Sequence, residues 1–109
     1  SNNDWSPNYK INEENIAVIE NSTIKILDEL LNLDSETIVM KIDVEGFEYE
    51  VLNGAKHTLL NNNCFLQIEI RYENFKKIDK LLKELGYRNE DNLRPLKEND
   101  YADCFFRNF

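Results

Sequence analysis

The chain has 109 residues, enough for one small domain and too few for two. Hydrophobic residues make up 41% and charged residues 31%, far from a disordered composition. The formal net charge of -8 repels phosphate backbones and anionic bilayers, so neither nucleic acid nor a membrane is expected as a partner. No run approaches the ~20 apolar residues of a membrane span. Cys64 and Cys104 each sit in an apolar run and read as buried free thiols, which suggests a reducing, cytoplasmic setting.

Residues 1–15 are polar, carry Pro7, and read as an irregular lead-in to a domain over 16–109. Ile16 to Glu20 is a short apolar run with strand character. Asn21-Ser22-Thr23 can cap a helix start, and the spacing of Ile24, Leu27, Leu30 and Leu31 predicts a helix over about 24–32. Ile38 to Asp43 is rich in β-branching and nearly continuous in apolar residues, as suits a strand covered on both faces.

After the break at Val44-Glu45-Gly46, Phe47, Val51, Leu52, Ala55, Leu59 and Leu60 follow at three- and four-residue steps. That spacing predicts one amphipathic helix containing Gly54 and ending at Asn61-Asn62-Asn63. Cys64 to Ile70 is a second buried-type strand. Phe75, Ile78, Leu81, Leu82 and Leu85 mark a helix that Gly86 closes with a left-handed cap. Tyr87-Arg88 begins a short strand, residues 89–100 form a loop with Pro95, and Tyr101 to Phe109 is an aromatic terminal strand. Alternation of this kind predicts a mostly parallel sheet with right-handed helical crossovers. The scattered asparagines read as loop composition.

Ligands of open α/β sheets bind outside the carboxyl ends of the strands. Asp43 ends a buried strand and Glu45 lies in the following turn. Glu69 lies near the carboxyl end of the next strand, so Asp43, Glu45 and Glu69 are the catalytic candidates. Their oxygens could also hold a divalent cation, but two or three acids do not define a metal site, and none is assigned. The single histidine, His57, stands between Lys56 and Thr58 and reads as a surface residue. Lys76, Lys77, Lys80 and Lys83 form a basic stripe, read as a solvated face, with a phosphate-binding patch as the alternative.

The run from Met40 through Lys41-Ile42-Asp43-Val44-Glu45-Gly46 to Glu48, continued by Leu52-Asn53-Gly54-Ala55, resembles the signature of FkbM-type methyltransferases. Supporting similarity lies at Ile26 to Leu30, Ile68 to Ile70 and Leu85 to Tyr87, so the resemblance covers roughly 16–109. It implies an α/β chain forming the C-terminal half of a Rossmann-like class I methyltransferase fold, with an antiparallel terminal strand. It also implies S-adenosylmethionine as cofactor and a hydroxyl oxygen of a small molecule or sugar as acceptor. The family's glycine-rich turn and ribose-holding acid have no counterpart here, so the chain alone is expected not to bind the donor, and no cofactor-binding residue is named. The open flank of the Ile38–Asp43 strand is then expected to invite self-association at the sheet edge. A non-catalytic interaction module, or another α/β enzyme sharing the carboxylate turn, are the alternatives.

Overall fold

A computed structural model describes residues 16–20 and 33–109. The expected lead-in at 1–15 and the expected helix at 24–32 lie outside the described residues. In chain order the elements are β1 (Ile16–Glu20), β2 (Thr37–Asp43), α1 (Glu48–Asn53), α2 (Lys56–Asn61), β3 (Asn63–Arg71), α3 (Tyr72–Glu84), β4 (Arg88–Glu90) and β5 (Tyr101–Arg107). They form a mixed α/β unit around one five-stranded sheet, ordered β1-β2-β3-β5-β4. β1, β2 and β3 are parallel, and β5 runs antiparallel between β3 and β4. The parallel run of β1, β2 and β3 is as the alternation predicts, and the antiparallel terminal strand is as the resemblance implies.

Three expectations are corrected. The flank of β2 is not open, because β1 pairs along it with Glu20 opposite Asp43. An unpaired row of backbone donors and acceptors is satisfied by whichever strand the chain can supply. Among the described residues the free edges are therefore those of β1 and β4.

Nor is β2 covered on both faces. Ile38, Met40 and Ile42 are buried while Thr37, Val39 and Lys41 are exposed, with Val39 at 44%. The order β1, β2, β3, β4 advances in one direction across the sheet. Right-handed crossovers then place α1–α2 and α3 on the same face. Leu66, Ile68 and Ile70 of β3 and Phe106 of β5 point to that face. They meet Val51, Leu52, Leu59, Ile78 and Leu82 there. Each such side chain contributes about 1.5–3 kcal/mol by leaving water. On the opposite face Phe65 and Phe105 meet edge to face, with ring centroids 5.9 Å apart.

The third correction concerns the helix over 47–60, which is two short helices. The chain turns at Gly54 and Ala55, where φ reaches -121°. Glycine is a poor helix former, and a break there costs little. The inward residues Val51, Leu52, Ala55 and Leu59 keep their spacing through the turn, so periodicity does not reveal it.

Gly86 caps α3 as expected, at φ +93°. The Tyr87 amide donates to the Leu82 carbonyl at 2.8 Å and the Gly86 amide to Lys83 at 3.0 Å, the pairing of a Schellman cap. Two asparagines prove structural. The buried Asn62 side chain accepts from the Glu36 amide at 2.8 Å and donates to the carbonyls of Leu33 and Thr58, both at 2.9 Å. Asn108 accepts from the Cys64 amide at 2.8 Å and donates to the Asn62 carbonyl at 2.9 Å.

Candidate functional site

The carboxyl ends of β2 and β3 carry the acids named from the sequence. Beyond Asp43 the chain reverses in a tight turn over Val44 to Phe47, closed by the Phe47 amide donating to the Val44 carbonyl at 3.3 Å. Both central residues have positive φ, +52° at Glu45 and +101° at Gly46. Gly46 accepts that geometry freely and Glu45 does not. The turn is held by Glu48, the first residue of α1. Its side chain is only 1% exposed. Its carboxylate accepts the Val44 amide at 3.2 Å and the Gly46 amide at 3.1 Å. Charge-assisted bonds of this kind offset the cost of burying the carboxylate. The Arg71 guanidinium, from the end of β3, packs beside Gly46.

Asp43 and Glu69 come together. They line a small pocket of about 110 Å³ with Lys41, Ile42, Gln67 and Asp103. Asp103, on β5, stands directly across from Glu69 in the register. Partial burial raises the Glu69 carboxyl above the ordinary carboxylate range. The negative charges of Asp43 and Asp103, a hydrogen bond with Asp43 and the charge of Glu48 add to it. Among the described residues the Oδ1 atom of Asp43 is buried without a hydrogen-bond partner.

Glu45 does not line this pocket; its side chain is exposed on the turn. Sequence reasoning missed two residues. Glu48 lay in the motif itself, yet its burial depends on how α1 docks. Asp103 had no signal at all, since only the β3–β5 register brings it to Glu69. His57 is exposed, as expected, with its Nε2 3.1 Å from Asp34. Cys64 and Cys104 are free and buried. Burial pushes the Cys64 thiol up and the Cys104 thiol up to about 11. Among the described residues no group of three or more His, Cys, Asp or Glu side chains could hold a metal ion. No described helix is long and apolar enough to cross a membrane.

The family model for the methyltransferase FkbM domain matches residues 1–89. The chain belongs to the FkbM methyltransferase family. The match begins upstream of residue 16, where the resemblance was expected to begin, and stops before β5. No curated protein and no solved structure gives a significant match. The family's donor would need a glycine-rich backbone cradle, and the described glycines do not make one. The Gly46 amide is taken by Glu48, Gly54 separates α1 from α2, and Gly86 caps α3.

Proposed function

We propose that the chain serves the acceptor side of an S-adenosylmethionine-dependent methyl transfer to a hydroxyl oxygen of a small molecule or sugar. Family membership supports methyl transfer, and the Asp43–Glu69 pair, brought together in one pocket at the strand ends, carries the rest of the reading. S-adenosylmethionine, when bound, supplies the methyl group; the described residues offer it no grip, and no step is drawn through it.

A hydroxyl becomes a competent nucleophile as its proton leaves, and a carboxylate within hydrogen-bond reach can take it. In this reading Asp43, which lines the pocket beside Glu69, receives the acceptor hydroxyl. Asp43 takes the proton as it leaves the hydroxyl, and Glu69, hydrogen-bonded beside it, orients the Asp43 carboxylate. Glu45, outside the pocket on the turn, contacts other polar groups of the acceptor. Glu48 acts only through the turn, as a positioning residue.

The test is methyl transfer by the intact protein to a panel of hydroxylated small molecules and sugars. Asp43→Asn and Glu69→Gln should each lower kcat by roughly 10²-fold, the usual worth of general acid–base help. Unchanged turnover in Asp43→Asn would sink the assignment.

A further inference from the structure

The basic residues of α3 take no part in the reading above. Lys76, Lys80 and Lys83 recur at i, i+4 and i+7, so they share one stripe of the helix. Lys77 lies a quarter-turn away, its ammonium over the Tyr49 ring at 4.9 Å. The stripe borders a groove of about 1010 Å³ between α3 and the loop over 91–100. No residue of this groove is shared with the carboxylate pocket.

The groove has apolar walls. Phe75 packs against the core, and Pro95 is buried. Tyr72 and Leu96 form the lip, 41% and 80% exposed. A leucine left that exposed beside an apolar wall gives up hydrophobic stabilisation that an apolar ligand would restore. The volume stands at the upper end for small-molecule sites.

The charges select the ligand's sign. Lys83 is paired with Asp79 at 2.8 Å, so those two cancel. Lys76, Lys80 and Arg94 make no ion pair among the described residues. Against them the groove sets Glu73 and Glu84. The balance is positive, on a chain whose net charge is -8. We propose that this groove binds an amphiphilic organic anion, an acyl carboxylate, with its chain on Phe75, Pro95 and Leu96 and its carboxylate among Lys76, Lys80 and Arg94. The inference is independent of the methyl-transfer reading.

The experiment titrates the 109-residue chain with octanoate, kept below its aggregation concentration, and follows the NMR signals of the Leu96 methyls and the Phe75 ring. Saturable shifts at both are expected. The double variant Lys76→Gln, Lys80→Gln should weaken octanoate about tenfold and change octan-1-ol binding by less than about twofold, since only the anion uses the lysines. Leu96→Ser should weaken both ligands. Amide spectra of each variant establish that it folds. Three results would each overturn the proposal: no saturable shift at Leu96 and Phe75, an equal loss of octanoate and octan-1-ol in the lysine variant, or shifts that start only where octanoate aggregates.

Discussion

The carboxylate of Glu48 reaches back two residues and closes on the amide of Gly46, 3.1 Å away. The same carboxylate holds the Val44 amide, so one buried side chain ties the start of the turn that follows Asp43 to its centre. Removing it leaves two amide donors without their acceptor, the Val44 amide buried and the Gly46 amide partly so. Glu48→Ala should cost about 3 kcal/mol of stability, with a smaller loss in Glu48→Gln, which keeps one acceptor oxygen. Urea denaturation of the two variants measures this. Equal midpoints for Glu48→Ala and the parent chain would mean that the buried contact contributes nothing.

Within that turn, Glu45 and Gly46 should respond in opposite directions to substitution. At φ +101°, Gly46→Ala should destabilise by about 1–2 kcal/mol. Space is not the obstacle, because an added Cβ would meet Arg71 at an ordinary 3.6 Å. Glu45→Gly should stabilise, by roughly 0.5–1 kcal/mol, by relieving a non-glycine residue at φ +52°. Thermal melts of both variants give the signs. If Glu45 also contacts the acceptor, Glu45→Gly gains stability and loses methyl transfer, which separates strain from chemistry.

Glu69 predicts a pH dependence. Its folded-state carboxyl is raised above its unfolded value, so the folded state holds the proton more tightly. Its contribution to stability is fully present below the ordinary carboxylate pKa and is lost as pH rises through the raised value. Glu69→Gln keeps a neutral group at the position and should flatten the fall in melting temperature across that window. Asp103→Asn, which removes the charge across the register, should do the same to a smaller degree. The Glu69 side chain is partly exposed, so added salt should shrink both effects. Circular dichroism melts from pH 3 to 8 test this; superimposable curves for Glu69→Gln and the parent chain would contradict it.

The two thiols should be inert. Both Cys64 and Cys104 are fully buried, and both are raised above the ordinary thiol value. Thiolate is the reactive form, so disulfide exchange with an aromatic reagent at pH 8 should be slow in the native chain and fast in urea. Fast native reaction at either cysteine would show that its surroundings open readily.

Much of the order was legible before any coordinates. Hydrophobic period is a property of ten neighbouring residues, so β2, β3, α3 and the terminal strand could be read from Ile38 to Asp43, Cys64 to Ile70, Phe75 to Leu85 and the aromatic end. Gly86 announced its cap because only glycine takes that φ without cost. The motif around Asp43 pointed to the family.

Tertiary structure decided what depends on distant pairing. The β3–β5 register set Asp103 against Glu69, and no local spacing encodes a register. Docking of α1 buried Glu48 and left its neighbour Glu45 exposed. The one-way strand order put the described helices on one face, so the continuous apolar run of β2 became an alternating one. β1 took the flank that the sequence alone left open. Local pattern specifies each element; which side chains become neighbours is settled only when backbone hydrogen bonding and burial are satisfied across the whole sheet.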